Sequence, residues 1–509
     1  ELDPLAGRTV HGVAYSTSVS AQGFSPAFAA CDGGAVLTST DGGKKWGHVD
    51  LGLPAAALAS CDCRCVASFA NHVWVAGRPG GFVLHSADLG KTWEVQKTEL
   101  SLPVNGICFI NDKEGWLVGD FGCIIGTSDG GKSWKTQKTG GQRAAVLCLH
   151  ANGKSTPLDV VAHLGGSDGY LCASTALMNA DPATADPKRA GDGDRTRYAM
   201  RLAGGAAAEG AWAFPVYAHA AGLQPRELLA SWDRAHGGKA NEQLLRSAVL
   251  AIRTWQPELV VCDLCAADTA ATDALALNAA KEAFKQAADP KCFPEQIEAL
   301  GLKPWAPKKL YALAPDPKAA AVKLDTAAFS TRLNDSPKDF AETATRTLAG
   351  DGGTDRRCFA LVAHRLQGAE AHANLMDGIT LAPGGTARRA LTMTYDATAA
   401  AEKQKAVLAR RNVEALASFG AGEFAGADKL MASLNSELKK MPDDVAARTA
   451  FAVGTRLARD GKWVEAREVF GVLTLNYPGH PLSIEGFRWL TRYHASTEAR
   501  RRTEIQQKM

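Results

Sequence analysis

The fold is decided first by Ser-Thr-Asp-Gly-Gly-Lys-Lys-Trp at 39–46, which returns as Ser-Ala-Asp-Leu-Gly-Lys-Thr-Trp at 86–93 and as Ser-Asp-Gly-Gly-Lys-Ser-Trp at 128–134. The tryptophans that close the three copies are 47 and 41 residues apart. A repeat of about this length is typical of one blade of a β-propeller. The repeat therefore predicts an all-β region, residues 1–142, that consists of three propeller-type blades.

Each copy of the motif reads as a turn inside a β-hairpin. The aspartate at its centre can accept hydrogen bonds from turn N–H groups, and a glycine two residues later supplies a positive φ. The closing tryptophan then packs against the neighbouring sheet. The residues expected to build the three turns are Ser39, Asp41, Gly43 and Trp46, then Ser86, Asp88, Gly90 and Trp93, then Ser128, Asp129, Gly131 and Trp134.

These turns resemble the Asp-box, or bacterial neuraminidase repeat, of β-propellers. The run Gly-Trp-Leu-Val-Gly-Asp-Phe-Gly at 115–122 resembles the photosystem II assembly-factor branch of that family. The resemblance implies a structural role for the box. Propellers typically close with four to eight blades, and three are visible. Either another copy or chain completes the ring, or the three sheets cap the next domain as an open arc.

Composition bounds the remaining possibilities. A chain of 509 residues suggests about three domains, and a net charge of +3 gives no reason to expect nucleic acid as a partner. No apolar run approaches the ~18–20 residues of a transmembrane helix. The chain begins at Glu1, which suggests a mature form without its signal segment. The cysteine clusters at 61–65 and 262–265 lack zinc-site spacing, which favours buried thiols or a disulfide.

Strands and helices alternate from Arg143 onward, which predicts a Rossmann-like α/β layer over residues 143–315. The segment Ile-Arg-Thr-Trp-Gln-Pro-Glu-Leu-Val-Val at 252–261, with the motifs at 279–284, 293–295 and 301–305, resembles the PIG-L, or LmbE-like, N-acetylglucosaminyl deacetylases. The resemblance implies a zinc ion at the carboxyl end of the sheet. In the family an Ala-His-Pro-Asp-Asp-Glu run supplies a ligand His, a general-base Asp and a ligand Asp, and a later His-Pro-Asp-His run supplies a second ligand His.

This chain departs from that pattern. His150 stands in the first motif, but Asn152 and Gly153 replace the two aspartates, and a second register through His163 also lacks the paired carboxylates. The later motif falls near Asp273 and contains no histidine. We therefore expect a degenerate domain with no catalytic residues and no cofactor. Candidates for a rebuilt zinc site are His150, Asp263 and Asp273, which are all expected at one edge of the sheet.

The rest of the chain divides into two parts. Residues 316–397 are either a linker or an extension of the α/β domain. Residues 398–509 are predicted to be helical, and Ala466 and Phe470 with the closing Tyr-Pro at 477–478 resemble a tetratricopeptide repeat. Stacked helical hairpins of this kind usually bind protein.

Together these regions predict a multidomain protein that acts as a non-catalytic scaffold or surface-assembly protein. We expect protein partners, a homo-oligomer or multi-subunit complex, and an extracytoplasmic location, either periplasmic or at the cell surface. The alternative is a zinc-dependent N-acetylglucosaminyl deacetylase, an amide hydrolase. A third possibility, by analogy with the propeller family, is an assembly chaperone.

Overall fold

Each repeated turn lies in a four-stranded antiparallel sheet whose strands follow one another in chain order. In every sheet the turn joins the third strand to the fourth. The first sheet holds β1 (Val10–Tyr15), β2 (Ala27–Cys31), β3 (Val36–Ser39) and β4 (Gly47–His48), and the short helix α1 (Ala55–Leu58) follows it. The second holds β5 (Asp62–Phe69), β6 (His72–Arg78), β7 (Phe82–Ser86) and β8 (Glu94–Lys97), and the third holds β9 (Val104–Phe109), β10 (Gly115–Gly119), β11 (Cys123–Thr127) and β12 (Lys135–Lys138).

This computed structural model describes residues 8–18, 23–180, 192–217, 222–263, 269–318, 320–348, 354–366, 374–386, 397–418 and 427–496. Cys265, the second cysteine of the 262–265 cluster, lies outside these residues. The chain forms two compact units. The first comprises Glu1–Thr326 and Lys338–Ala390, and the second comprises Ala327–Pro337 and Leu391–Met509.

The three sheets stack through their first strands, because β1 contacts β5 and β5 contacts β9. Trp74 on β6 is fully buried and stacks on Phe109, with 3.7 Å between the ring centroids. Its indole N–H donates to the carbonyl of Gly130 at 3.0 Å. A buried tryptophan whose N–H is satisfied fixes the second sheet on the third.

A seven-stranded mixed sheet follows, with the strand order β16-β14-β13-β18-β19-β21-β20. The first five strands of that order are parallel, and β21 and β20 are antiparallel to their neighbours. The strands are β13 (Val146–His150), β14 (Cys172–Ala176), β16 (Ala207–Gly210), β18 (Leu259–Cys262), β19 (Lys309–Leu313), β20 (Val322–Asp325) and β21 (Arg356–His364), and β15 (Asn179–Ala180) pairs separately with β17 (Pro215–Val216). Both β20 and β21 come from the segment for which the sequence left open a linker or an α/β extension, and they extend the sheet.

Helices alternate with these strands along the chain. They are α2 (Leu158–Val161), α3 (Asp192–Leu202), α4 (Pro225–Asp233), α5 (Ala240–Trp255), α6 (Ala271–Gln286), α7 (Glu295–Glu298), α8 (Pro337–Phe340) and α9 (Glu342–Thr347). The largest core joins α5 and α6 to one sheet face, where Leu147, Leu149 and Val260 are fully buried. These residues alternate along their strands, as expected for side chains that point to one face.

The segment at 252–261 that resembles the deacetylases has a packing role. Arg253 on α5 is fully buried, and its guanidinium donates to four backbone carbonyls between residues 287 and 293 and to the side chain of Gln296. A buried guanidinium that satisfies its donors in this way holds the loop after α6 in place. The segment therefore has a structural role in this domain.

The three sheets and the α/β layer share a core within the first unit. Leu102, which precedes β9, is fully buried in the main α/β cluster, and the ring of Phe121 lies 5.6 Å from that of Trp255. Gly81 approaches the backbone at Leu300 so closely that a Cβ would overlap its carbonyl oxygen. The three antiparallel sheets are therefore packed on the α/β layer of the same chain.

The second unit is helical and contains α10 (Ala397–Ser418), α11 (Ala427–Leu438), α12 (Asp443–Arg459), α13 (Trp463–Asn476) and α14 (Pro481–Ala495). Phe470 on α13 packs on Gly454 of α12 and on Trp489 of α14, whose ring lies 4.7 Å away. The order of an all-β, an α/β and a helical region is as predicted. Within the described residues, no helix is both long and apolar enough to cross a bilayer.

Candidate functional site

The carboxyl edge of the mixed sheet brings His150 and Asp263 together. His150 ends β13 and Asp263 follows β18, the parallel neighbour of β13, so both lie at the same edge. The Nδ1 of His150 lies 2.7 Å from Oδ1 of Asp263, and the N–H of Ala151 donates to the other carboxylate oxygen at 2.6 Å. The histidine is 0% exposed and the aspartate 2%. The pair is an internal part of the fold.

The charge of this pair is set by its neighbours. Burial lowers the pKa of His150, but the charge and hydrogen bond of Asp263, together with nearby Cys148, raise it to about 10. Asp263 therefore favours the protonated form of the imidazole, whereas a metal ion binds only the neutral form. Its Nε2 is buried and has no hydrogen-bond partner among the described residues.

Asn152 and Gly153, at the positions that the resemblance assigns to the two aspartates, both have roles in the local structure. The side-chain oxygen of Asn152 accepts hydrogen bonds from the N–H groups of Lys154 and Ser155 at 3.0 and 3.2 Å, so it caps a 3₁₀ turn. At Gly153 a Cβ would overlap the hydroxyl of Thr196 on α3. A ligand carboxylate has no room at Gly153 unless Thr196 moves.

Asp273 lies in the first turn of α6, where the charges of His150 and Asp263 affect its pKa. Burial and the negative charge of Asp263 raise the pKa of Asp273, and His150 opposes this rise. Among the residues that the structure describes, no three His, Cys, Asp or Glu side chains form a set that could hold a metal ion. The described residues therefore do not fit the zinc site that the family resemblance implies.

The alternative register through His163 belongs to another part of the fold. His163 lies on a π-helical turn, Ala162–Ser167, and its Nε2 is 3.7 Å from Asp168 in a half-exposed pair. Gly165 of the same turn lies beside Cys172, the first residue of β14. His163 is therefore at the amino end of the sheet, away from the pair at the carboxyl edge.

A cavity of about 360 Å³ opens at the carboxyl edge. Its polar lining comes from both sides of the sheet edge, and the residues that contribute it are Asn152, Lys154, Asn179, Arg195, Thr196 and Thr272. His150 itself is covered by the backbone that follows it. The cavity thus has the size of a small-molecule site, with a neutral amide where the family has its base.

A second group of charges, which the sequence did not single out, lies between the second antiparallel sheet and β16. Glu209 on β16 forms a two-pronged ion pair with Arg64 on β5, one prong being 2.8 Å long, and it also contacts Arg78. Arg78 in turn pairs with Asp62 at 2.6 Å. The indole N–H of Trp212 donates to Asp62 at 3.0 Å. We call Asp62, Arg64, Arg78 and Glu209 the boundary cluster.

A β-bulge in β5 positions Arg64 in the boundary cluster. Cys63 pairs with Gly77 and Cys65 with Ala76, which leaves Arg64 as the extra residue of β5. A Cβ at Gly77 would overlap the carbonyl of Asp62, so the bulge requires glycine there. The signal available in the sequence was the alternation of Asp62 and Arg64 with three cysteines, because a buried strand keeps charged residues only where they find partners. All eleven described cysteines are free thiols.

Asp120 faces the boundary cluster without belonging to it. Its Oδ1 accepts a hydrogen bond from Asn105 at 3.0 Å, and it is 9% exposed. Burial and the charge of Glu209 raise the pKa of Asp120 to about 6, although Arg64 acts in the opposite direction. Burial is the main cause of this rise, because removal from water disfavours the ionised carboxylate.

The three repeated turns have one hydrogen-bond pattern. Asp41 and Asp88 each accept bonds from two turn N–H groups and one serine hydroxyl, and the indoles of Trp46 and Trp93 donate back to the turn at 3.2 and 3.1 Å. These backbone bonds, with the hydroxyl of Thr92 in the second turn, hold the pKa of both aspartates below the ordinary value.

The third turn corrects one assignment made from the sequence. The hydroxyl that bonds Asp129 and the N–H of Gly131 belongs to Thr127, at 2.8 and 2.9 Å, whereas Ser128 is exposed. The motif in this repeat therefore starts one residue earlier than predicted, with threonine in place of serine. Trp134 also differs, since its buried Nε1 has no partner among the described residues.

Comparison with known proteins gives local similarities. No protein-family model and no curated protein sequence matches the chain. Similar solved structures include YCF48 bound to D1 peptide (20% identity, TM-score 0.23, 27% of this chain and 43% of that one), N,N'-diacetylchitobiose deacetylase from Pyrococcus horikoshii (14%, 0.29, 40% and 69%) and GalB, the 4-carboxy-2-hydroxymuconate hydratase from Pseudomonas putida (14%, 0.29, 45% and 100%). The chain thus spans less than half the length of the YCF48 structure. The proposals below rest on the contacts of this chain.

Proposed function

We propose that this protein is a non-catalytic scaffold that binds protein partners and acts in an oligomer or larger complex. The observation that carries the proposal is the burial of His150 against Asp263, with no group of three His, Cys, Asp or Glu side chains among the described residues that could hold a metal. A hydrolase needs a metal or base that reaches its substrate. Where the family motif would place these groups, the histidine is internal, the base position is an amide, and Gly153 leaves no room for a ligand.

The remaining architecture is consistent with a scaffold. We propose that the three sheets are blades of a propeller-type arc, which the α/β layer of the same chain closes through the boundary cluster. On this proposal the deacetylase-like domain is kept for its fold and its surface. The extracytoplasmic location is part of the same proposal.

The surface of the second unit supports a protein partner. Ile484 and Phe487 on α14 are 58% and 53% exposed, and Leu475 at the end of α13 is 81% exposed. Residues three apart share one face of a helix. Adjacent exposed apolar side chains of this kind are typical of protein contact surfaces.

The absence of catalysis is tested by elemental analysis and by acetate release. The purified protein, dialysed and then offered zinc, is expected to hold far less than one zinc per chain and to release no acetate from N-acetylated chitobiose. Stoichiometric zinc that is lost in His150→Ala, together with acetate release, would overturn the proposal. Ser128→Ala, an exposed change in the third sheet, is the control for handling of the protein.

The scaffold role is tested by mass measurement at micromolar concentration. We expect species heavier than the 53.6 kDa chain, either alone or with proteins co-purified from the native source. Ile484→Glu with Phe487→Glu should reduce these species, whereas Arg492→Gln on the same helix should not. A strict monomer with no co-purifying protein would contradict the proposal.

A second candidate, zinc-dependent deacetylation of N-acetylated sugars, is favoured by one observation. The cavity of about 360 Å³ lies at the carboxyl edge, directly beside the backbone of Ala151 and the start of α6. The zinc and acetate measurements above separate the two candidates, because the scaffold requires both to be negative.

A further inference from the structure

A cavity of about 640 Å³ lies between the antiparallel sheets and the α/β layer. One wall is formed by residues at the first strands of the three sheets, including His11, Arg64 and Asn105. The opposite wall comes from β16 and from α3, which contributes Arg197 and Tyr198. All of these elements belong to the first compact unit, so both walls of the cavity come from that unit.

Most of the charged side chains that line this cavity form ion pairs with one another. In the boundary cluster two carboxylates face two guanidinium groups. On α3, Arg197 pairs with Asp194 at 3.0 Å, and at the opposite wall His11 lies 2.6 Å from Asp32. These pairs account for most of the charged lining, since a buried charge is stable only when it is paired.

Asp120 is the exception. Its side chain lines the cavity and is nine-tenths buried, yet among the described residues no cation lies within ion-pair distance of it. Only Oδ1 has a hydrogen-bond partner, the amide of Asn105, which leaves Oδ2 with none among those residues. The negative charge of Glu209 raises the pKa of Asp120, and the positive charges of Arg64 and Arg197 lower it. The cavity therefore presents a carboxylate oxygen without a protein partner among the described residues, and its natural complement is a cation with N–H donors.

The walls around Asp120 suit an organic cation better than a bare metal ion. The described residues contain no set of three side chains able to hold a metal. Tyr198, which is 62% exposed, lines the same cavity and offers an aromatic face, while the ring of Trp212 already has the guanidinium of Arg8 above it at 5.1 Å. Aromatic faces attract ammonium groups through cation–π interaction and also cover an alkyl chain.

We propose that this cavity binds an alkylammonium group, which forms an ion pair with Asp120 while its carbon chain packs against the aromatic wall. The ammonium is supplied either by a lysine side chain of a bound peptide or by a small free amine. The proposal does not depend on the proposed scaffold function, because it concerns a cavity on the other side of α3 from the carboxyl-edge site.

The probe is n-butylammonium chloride, titrated into the full chain by calorimetry at low salt. At pH 8 we expect saturable binding with a dissociation constant in the millimolar range, about 1–10 mM for so small a ligand. Asp120 is then ionised, and binding should weaken at least tenfold at pH 5, where the carboxyl group is protonated. Absence of saturable binding at pH 8 up to about 50 mM would overturn the proposal.

Two comparisons test the role of the charge. Asp120→Asn should weaken butylammonium binding at least tenfold at pH 8, whereas Glu99→Gln, an exposed carboxylate at the same boundary but outside the cavity, should leave it unchanged. Neutral n-butanol should bind at least tenfold more weakly than the ammonium. Equal binding by Asp120→Asn, or by n-butanol, would refute an ion pair with Asp120. The pH series uses the unaltered protein, so it stands even if a variant folds poorly.

The source of the ammonium is decided by a peptide arm. Acetyl-Gly-Lys-Gly-amide should bind at least tenfold more tightly than butylammonium if the occupant is a lysine of a partner protein. If the tripeptide binds more weakly, a free amine is the occupant. Failure of all amines would leave the zinc and mass experiments unaffected, so the two proposals fail separately.

Discussion

The two buried charge clusters of the first unit differ in how they are balanced. At the carboxyl edge, His150 and Asp263 pair with each other, and the buried Nε2 of His150 has no partner among the described residues. At the boundary between the antiparallel sheets and β16, four paired charges lie next to Asp120, which has no cation of its own among the described residues. The charges of the first cluster are balanced within it, whereas the second lies beside a carboxylate with no cation among the described residues. The family resemblance pointed to the first cluster, whereas the cation site that we propose is beside the second.

The clusters also respond to pH in opposite directions. The pKa of His150 is raised above its unfolded value, so its contribution to stability is full at low pH and is lost as pH rises toward about 10. Burial raises the pKa of Glu209, but Arg64 and Arg78 lower it further, so its net pKa lies below the ordinary value. The contribution of Glu209 is therefore present above the unfolded pKa and is lost as pH falls.

The largest effect is expected from Glu209→Gln, which breaks the boundary cluster. The change leaves Arg64 and Arg78 with one carboxylate between them, and it should lower the free energy of unfolding by about 3–5 kcal/mol at pH 7. Denaturant unfolding measures this difference, and it should shrink as pH falls below about 4.3. Glu99→Gln, in an exposed pair with Lys303, is the control and should have no measurable effect. A similar loss in both variants would show that burial does not matter at this boundary.

A smaller effect is expected from Asp263→Asn at the carboxyl edge. Asparagine keeps one acceptor for the buried imidazole but removes the charge, which should lower the free energy of unfolding by about 2–3 kcal/mol at pH 6. The difference from the unaltered protein should decrease as pH rises from about 6.5 toward 10. Asp168→Asn, in the half-exposed pair with His163, is the matched control. A difference that grew with rising pH would contradict the protonated state of His150.

The smallest effect is a gain from Asp120→Asn. Because the folded pKa of Asp120 is raised to about 6, its ionised form destabilises the protein above that pH. The substitution should therefore raise the free energy of unfolding by about 1–2 kcal/mol at pH 7, and the gain should vanish below about pH 4. The measurement is the same unfolding experiment at both pH values. Destabilisation at pH 7 would mean that a cation inside the folded protein already pairs with Asp120.

Much of the architecture was predictable because it follows from local sequence patterns. Repeated turns with aspartate and glycine at set offsets indicate hairpins, and apolar runs that alternate with helices indicate a parallel sheet. The prediction that His150 and Asp263 share an edge holds for the same reason, since parallel strands end at one side. The exact start of the third turn was wrong because Thr127 and Ser128 are adjacent hydroxyl residues, and only the hydrogen bonds distinguish them.

The boundary cluster was not predictable because its members come from distant segments. Asp62 and Arg64 lie in β5, between cysteines. Glu209 follows two alanines in β16, an edge strand of the mixed sheet. The alternation of Asp62 and Arg64 with cysteines indicates buried charges, but it does not identify their partners. Their partnership depends on which edge of the α/β sheet meets which antiparallel sheet, and no local period encodes that choice.

The sequence by itself determined the three hairpin turns, the parallel sheet, the helical end and the loss of the carboxylates after His150, because each depends on neighbours within a few residues. Only the tertiary structure decided that His150 is buried against Asp263, that Gly153 has no space beside Thr196, and that Asp120 faces a cavity in which no described residue supplies it with a cation. These outcomes depend on packing between elements far apart in the chain, where the burial of a charge is set by what covers it.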